Sequence, residues 1–272
     1  MSAQNPFDQK KAAILSEINS SQPDLSPKGS IDRLCLPIIK LINSHEDMVT
    51  TSSCSGRISV FAEGVKDYKG NVKVGGKGQG GKWLYVSHDS DKVRGWIDTL
   101  NTSDQEIISG TVEDNLIASD GSTRYLLYKY EPFILHVKCR NFEMASRLYN
   151  VAMACGFRES GIGSNNLVAV RINIKLDVPI GFVDDKEKLN LFVSPNYIQL
   201  LDKLTLTKFE ENEKKMKELY VKIENQIING NPIASLEAKK EQETKEERRE
   251  RKRREGLERQ RKAKDQKAAA TD

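Results

Sequence analysis

The sequence predicts an α/β fold of the α+β kind, in which helices flank a mixed sheet and a long helix and basic tail follow. Residues 168–175 alternate apolar and polar side chains, as a half-buried strand does. A helical pattern with few breakers runs from Pro195 to Ile228. The elements do not repeat as βαβ units, and no glycine fingerprint opens a helix after a strand. The fold is therefore expected to be not Rossmann-like.

The other elements follow from hydrophobic periodicity and from capping and breaking residues. Helices are predicted over residues 7–18, 30–43, 89–100 and 141–156, and strands over residues 57–63, 82–87, 124–130, 133–138 and 167–176. Pro37 is expected to interrupt or kink the second helix, and Pro132 to separate two strands. We divide the chain into a folded domain of residues 1–206, a helical extension of residues 207–234 and a charged tail of residues 235–272.

Composition narrows the class of protein. The 272 residues are 38% hydrophobic and 30% charged, and no apolar run approaches the roughly 20 residues of a membrane helix. Residues 1–9 lack the basic and apolar regions of a secretory signal. The four cysteines are widely spaced and form no CxxC, which favours free thiols in a reducing compartment. We therefore expect a cytoplasmic protein without a membrane partner.

The charge of the chain is concentrated in its tail. Residues 235–272 hold 14 Lys and Arg against 10 Asp and Glu, so they carry the whole net charge of +4. The tail has too few apolar residues to bury a core. Two interpretations remain open: an arm that binds a polyanion, and an extension that only increases solubility.

The segment Thr51–Arg57 is the strongest sign of a binding site. Four of its seven residues carry hydroxyls, one carries a thiol, and it ends in Gly-Arg. Hydroxyls, backbone amides and a guanidinium together suit an anionic or polyhydroxylated ligand. A glycine- and lysine-rich loop over residues 75–82 follows, and its lysines are expected to reach phosphates. A strand rather than a helix follows this loop, so it is not a dinucleotide-binding turn.

Two of the three histidines, His88 and His136, come at the end of apolar strand segments. Near neutral pH a histidine in such a place is suited to proton transfer or hydrogen bonding. The histidines and Cys54 lack the spacing of a zinc module, and no HExxH occurs. We therefore predict no metal, although a metal-dependent hydrolase using these residues stays as an alternative. Nucleophilic catalysis by Cys54 is conceivable, but a buried thiol is the commoner role.

Several motifs, taken in order, resemble those of the tRNA wybutosine-synthesising methyltransferases, the third enzymes of the eukaryotic pathway. The resemblance covers about Phe7 to Leu206, and the long helix and tail are similar to extensions in fungal members. The motifs that carry it are TSSCSGR at 51–57, GGKWL at 80–84, VSH at 86–88, EPFILHV at 131–137, ACGFRESG at 154–161 and VRI at 170–172.

The resemblance implies an enzyme that uses S-adenosylmethionine. It would methylate a ring nitrogen of the tricyclic wybutosine precursor at position 37 of tRNA-Phe, next to the anticodon. It also implies a compact fold outside the Rossmann-like methyltransferases. The alternative function is a non-catalytic protein that binds tRNA or another RNA.

Under this resemblance the residues take three expected roles. His88 and His136 are the candidates for the base that removes the acceptor proton, with Asp89 as an orienting partner. Either Trp83 or Tyr85 is expected to stack on a planar ring, and the other to be structural. The cofactor is expected to contact Ser53, Ser55, Gly56, Arg57 and Trp83. The RNA is expected to contact Lys77, Lys82, Arg140 and Arg171.

Overall fold

A computed structural model of the protein describes residues 5–20, 22, 28–65, 79–100, 107–109, 123–230, 249 and 253–254, with the backbone alone at 107–109. The chain divides into two compact units, Met1–Glu224 and Asn225–Asp272. Most of the predicted glycine-rich loop and most of the basic tail lie outside the described residues.

The fold is a mixed α/β arrangement, as the sequence predicts. The helices are α1 (Pro6–Ile18), α2 (Leu36–Ser44), α3 (Phe142–Ala154) and α4 (Pro195–Ile223), and a π-helical turn covers Glu224–Ile228. The strands are β1 (Met48–Ala62), β2 (Lys82–Ser87), β3 (Ile107–Ser109), β4 (Arg124–Cys139), β5 (Gly161–Ile162), β6 (Leu167–Arg171), β7 (Leu176–Val183) and β8 (Leu189–Leu191). Among these strands, β3 and β8 pair in parallel and the other pairs are antiparallel.

The sheet is built around β4. Its strand order is β2-β1-β4-β7-β8-β3, and β6 also pairs with β4 and carries β5. One edge of β4 pairs with β1 along nearly its whole length. The other edge pairs with β7 over Arg124–Tyr130 and with β6 over Ile134–Lys138. The partner of β4 therefore changes around Pro132.

Three local predictions are wrong, each for a physical reason. Pro37 lies in the first turn of α2, where its missing N–H has no partner to lose, so it helps to begin the helix rather than kink it. The helix predicted over 89–100 is reduced to a 3₁₀ turn at Ser90–Lys92 followed by turns, and Gly95 has a φ of 78°. Pro132 does not end a strand, since β4 continues through it.

The long helix predicted from Pro195 is confirmed. Ser194 caps it by accepting a hydrogen bond from the N–H of Tyr197, and Pro195 occupies the first turn. Phe209 is buried, and its ring centre lies 4.8 Å from that of Tyr130 in β4. The boundary predicted between residues 206 and 207 falls inside α4, and buried side chains lie on both sides of it.

A buried polar cluster joins α4 to the sheet two turns before Phe209. The carboxylate of Asp202 accepts hydrogen bonds from Trp96 Nε1 at 3.1 Å and from the Tyr128 hydroxyl at 2.9 Å. The Tyr128 hydroxyl also lies 3.0 Å from Thr205 Oγ1. These contacts satisfy polar groups that would otherwise be costly to bury. None of the described helices is both long and apolar enough to cross a membrane.

If α4 is an integral part of the core, Phe209→Ala should lower the free energy of unfolding by about 3–5 kcal/mol, the usual cost of removing a buried phenylalanine ring. Leu204→Ala, at a 42% exposed position of the same helix, is the matched control and should change it by less than about 0.5 kcal/mol. Urea unfolding of the two variants measures both values. Equal, small effects would mean that α4 only lies against the domain.

Candidate active site

Burial along β4 alternates, and the alternation inverts next to Pro132. Before it, Tyr128 and Tyr130 are buried; after it, Phe133 and Leu135 are buried. A regular strand keeps one parity on one face. Because the parity changes here, side chains at odd positions before Pro132 and at even positions after it share the less buried side of the sheet. We call that side the outer face; it carries Ser52, Cys54, Arg57, Glu131 and His136.

The inversion coincides with a gap in the ladder between β1 and β4. Cys54 pairs with Ile134 and Gly56 with Pro132, but the intervening residues, Ser55 and Phe133, are held by side chains. The N–H of Phe133 donates to Asn212 Oδ1 at 2.8 Å, and Asn212 Nδ2 donates to the Ser55 carbonyl at 2.8 Å. We call Ser55 and Phe133 the opened pair.

Gly56 lies directly beside the opened pair and has a φ of 102°. A Cβ at this position would come within 3.1 Å of the Tyr130 hydroxyl and 3.2 Å of Asn212 Nδ2. Both the backbone angle and the crowding therefore require glycine. The cofactor contact predicted for Gly56 stays a prediction. The local structure of the strand is sufficient to explain why glycine occupies this position.

Asp32 connects the opened pair to a cluster of reactive side chains. Its Oδ2 accepts a hydrogen bond from the N–H of Ser55 at 2.8 Å, and its Oδ1 lies 2.6 Å from Lys28 Nζ. One ligand atom from each of Asp32, Cys54 and His88 lies within 4.8 Å of the others. No sequence motif marks Asp32, which precedes a 3₁₀ turn before α2 and is 7% exposed.

Burial disfavours the charged forms of both Asp32 and His88, but the net shifts of their pKa values leave the two in different protonation states. Burial raises the pKa of Asp32, but hydrogen bonds from Lys28 and Ser55 outweigh it and leave that pKa lowered. Burial lowers the pKa of His88, and the Asp32 carboxylate acts in the opposite direction. The distance of 3.7 Å from His88 Nε2 to Asp32 Oδ2 is too long for a hydrogen bond. We conclude that at neutral pH Asp32 is ionised and His88 is neutral.

The same three residues are the obvious metal ligands among the described residues, but their chemistry does not favour a metal. Lys28 and Ser55 already donate hydrogen bonds to the two oxygens of the Asp32 carboxylate. Burial raises the pKa of the Cys54 thiol, which disfavours the thiolate that binds metals. The absence of a metal stays a prediction.

His136 occupies another part of the outer face. Its Nδ1 lies 2.7 Å from Ser52 Oγ. Burial lowers the pKa of His136, and the positive charge of Arg171 lowers it further. Arg171 is exposed on β6, where it pairs with Ile134, two residues from His136. Both predicted histidines therefore lie near the same motif of β1, one beside Ser52 and the other beside Cys54.

Arg57 and Trp83 form a further part of the site. Arg57 Nε donates to Glu131 Oε2 at 2.7 Å, and its Cζ lies 5.2 Å from the centre of the Trp83 ring. Trp83 is 37% exposed and packs at 4.8 Å against Phe61. Tyr85, in contrast, donates its hydroxyl to the Lys92 carbonyl and packs against the core. Tyr85 therefore packs as a structural aromatic, whereas more than a third of the Trp83 side chain is exposed.

Ser53 and Ser55, two of the predicted cofactor contacts, lie on the more buried side of the strand pair. Ser55 is 3% exposed. Ser53 hydrogen-bonds the buried Cys35 thiol, whose pKa burial raises to about 12. Both serines have the parity of the buried Phe133 side of the strand pair. Ser52 and Cys54, on the outer face, take their place in the candidate site.

The predicted RNA contacts separate into different environments. Lys82 and Arg171 are exposed, and Lys77 lies outside the described residues. Arg140 has a structural position instead: its guanidinium pairs with Asp8 at 2.7 Å and with Asp47, and stacks 4.7 Å from the Phe7 ring centre. These partners hold α1 against the sheet. The charge of Arg140 is therefore already paired within the protein, and its predicted RNA contact stays a prediction.

A groove of about 910 Å³ lies elsewhere, between the end of α3 and α4. Lysine and glutamate side chains, among them Lys214, Lys215 and Glu218, line it together with Cys155. Burial raises the pKa of the Cys155 thiol, and no histidine lines the groove. By volume alone this groove would be the candidate active site. The outer face is the better candidate, because its histidines can transfer protons.

The family model described as "Methyltransferase TYW3" matches residues 9–225. The chain belongs to the methyltransferase TYW3 family. This match runs through α4, beyond the Leu206 limit of the sequence resemblance. It confirms the resemblance and makes the protein an enzyme of a tRNA-modifying methyltransferase family, so the alternative of a non-catalytic RNA-binding protein is not retained.

Relatives of the TYW3 family cover nearly the whole chain. tRNA wybutosine-synthesizing protein 3 of Saccharomyces cerevisiae is 62% identical over 269 residues, which are 97% of this chain and 98% of the relative. The Schizosaccharomyces pombe protein of the same name is 39% identical and covers 81% of this chain and 88% of the relative. The solved structure of the PH1069 protein from Pyrococcus horikoshii has a TM-score of 0.54 at 27% identity, over 81% of this chain and 96% of that one.

The structural assignment of Arg140 can be tested directly. Arg140→Ala should lower the melting temperature, because α1 loses its ion pairs, and should leave tRNA affinity unchanged. Arg171→Ala, an exposed arginine of the same sheet, should keep the melting temperature and reduce the slope of log affinity against log salt by about 1. Thermal denaturation and filter binding measure these values. A loss of tRNA affinity in folded Arg140→Ala would place this residue in the RNA interface.

Proposed function

We propose that the protein transfers a methyl group from S-adenosylmethionine to a ring nitrogen of the wybutosine precursor at position 37 of tRNA-Phe. The names of the S. cerevisiae and S. pombe relatives support the pathway. The single observation that supports the location is the cluster of His88, Asp32 and Cys54 within 4.8 Å. Arg57 belongs to the same site, since its charge acts on the pKa values of both Cys54 and His88.

His88 is the best-placed base. A carboxylate whose pKa is lowered below 3.8, as in Asp32, is a weak base, whereas a histidine near neutrality accepts a proton readily. His88 also has the negative charge of Asp32 at 3.7 Å, which stabilises the imidazolium once it forms. His136 has the positive Arg171 instead, which opposes protonation. We therefore assign the proton transfer to His88 and a positioning role to His136.

The residues around Arg57 fit the cofactor. A guanidinium suits the carboxylate of the methionyl group, and Trp83 offers a partly exposed ring for a planar base. S-adenosylmethionine supplies an electrophilic methyl group that a deprotonated ring nitrogen can attack in line. The enzyme gains rate chiefly by aligning the reacting groups and by removing the acceptor proton onto His88.

The exposed cations on the same sheet suit an RNA substrate. Arg171 lies beside His136, and Lys82 begins β2 next to Trp83. Both positions border the outer face, so both are proposed contacts for phosphates of the anticodon loop. The four cysteines are free thiols, which supports a reducing compartment and a cytoplasmic enzyme.

If His88 is the base, His88→Ala should lower the rate of methyl transfer by about 10²–10⁴-fold, the usual contribution of general base catalysis. His136→Ala should cause a smaller loss, because it removes a hydrogen bond to Ser52 rather than the proton acceptor. Single-turnover assays with tRNA that carries the precursor base measure both. The reverse order of the two losses would assign the base to His136.

The same assignment predicts the pH profile. A lowered pKa keeps His88 neutral at pH values where an ordinary histidine, with a pKa of 6.5, is already protonated. The rate should therefore be constant through neutral pH and fall only below pH 6.5. A decline that is complete above that pH would be incompatible with His88 as the base.

Arg57 is expected to bind the cofactor. Arg57→Ala should weaken binding of S-adenosylhomocysteine by about 1.5–3 kcal/mol, the worth of a charge-assisted hydrogen bond. Glu131→Gln is the matched control, because it breaks the Arg57 ion pair but keeps the guanidinium. Calorimetric titration of both variants separates the roles. Equal losses in the two would show that the ion pair itself matters and that Arg57 does not bind the cofactor.

A further inference from the structure

Asn212 is 1% exposed, yet it lies in the middle of α4, where a buried amide is costly unless all its groups are bonded. Its carboxamide accepts from the Phe133 N–H and donates to the Ser55 carbonyl, both at 2.8 Å. In a hydrogen-bonded pair of an antiparallel ladder these two groups bond to each other. Asn212 therefore stands in the place of one ladder hydrogen bond.

The opened pair affects the candidate site through the backbone N–H of Ser55. In a closed pair the Ser55 N–H would donate across the ladder to Phe133. In the opened pair it donates to Asp32 Oδ2 at 2.8 Å instead. That hydrogen bond fixes the carboxylate 3.7 Å from His88 Nε2. The Asn212 amide, inserted between the two strands, thus both opens the pair and allows Asp32 to be placed beside His88.

We propose that Asn212 is a positioning residue of the active site, which holds Ser55 and Phe133 apart so that the Ser55 N–H can hold Asp32 beside His88. The inference rests on the proposed location of the active site. It gives α4, which carries none of the motifs, a direct part in catalysis.

Attachment of the helix does not account for Asn212. α4 is already held by Asp202, which binds Trp96 and Tyr128, and by Phe209. What its amide adds is specific to the backbone of Ser55 and Phe133. A Cβ added at the neighbouring Gly56 would come within 3.2 Å of Asn212 Nδ2.

The test compares Asn212→Ala with Thr205→Val. Thr205 is also fully buried on α4 and also bonds β4, through the Tyr128 hydroxyl at 3.0 Å, but it lies away from the opened pair. Both variants should lower the melting temperature. Asn212→Ala should in addition lower kcat for methyl transfer by about 10–100-fold, as small misplacements of catalytic groups do. Thr205→Val should keep kcat.

Two further readouts separate positioning from a loss of folded protein. Because Asp32 raises the pKa of His88, its release in Asn212→Ala should move the acid limb of the pH–rate profile to lower pH. Asn212→Asp should recover much of kcat, since a buried carboxyl stays protonated and can make both hydrogen bonds. If Asn212→Ala does not fold, Asn212→Ser, which can hold one of the two groups, should show the same shift with a smaller loss.

The proposal is overturned if folded Asn212→Ala keeps both its kcat and the acid limb of its pH–rate profile. It is also overturned if Thr205→Val loses as much kcat as Asn212→Ala. A failure of the proposed active site is a different result: His88→Ala would then keep its activity, whatever the Asn212 variants do. Activity lost in His88→Ala but kept in Asn212→Ala would leave the site in place and refute the positioning role alone.

Discussion

β1 and β4 run side by side along nearly their whole length, but neither N–H of Ser55 and Phe133 is used in the ladder between them. One is held by Asp32 and the other by Asn212. Pro132, which has no N–H, lies next to the gap, and the other edge of β4 changes its partner from β7 to β6 at the same place. The parity of burial inverts there, and this puts Ser52, Cys54, Arg57, Glu131 and His136 on one face.

Electrostatic interactions then set the protonation states of the residues that this geometry brings together. The backbone amide of Ser55 and the ammonium of Lys28 keep Asp32 ionised against the cost of burial. Burial keeps His88 neutral despite the neighbouring carboxylate. A neutral histidine beside an ionised carboxylate is the state that general base catalysis requires. Arg57, held by Glu131, adds a cation at the same face.

The sequence predicts many of the residues of this site but not the hydrogen bonds that connect them. Residue type and periodicity locate the long helix. The structure also brings Cys54, Arg57 and both predicted histidines close to the same part of β1, and their roles stay predictions. The sequence does not show that Ser53 and Ser55 lie on the buried side, because strand parity cannot be counted through an inversion that depends on a side chain from α4. Contacts far apart in the chain leave no local pattern, and the bond between Asn212 and Ser55 spans 157 residues.

A similar limit applies to charged residues. In the sequence Arg140 is predicted to contact RNA, and no motif marks Asp32. In the structure Asp8 and Asp47 occupy Arg140, whereas Asp32 is buried beside a histidine. Charge and exposure together decide whether an ionisable side chain is available to a ligand. Burial in turn depends on packing between distant segments, which a single sequence does not specify.

The central claim is that the outer face, between Arg57 and the two histidines, is where methyl transfer takes place. A crystal structure of the protein with S-adenosylhomocysteine tests it most directly. The account predicts electron density for the ligand on the outer face, with its carboxylate at Arg57, its adenine at Trp83 and its sulfur directed toward Cys54 and His88. Density in the groove between α3 and α4, with the outer face empty, would contradict it.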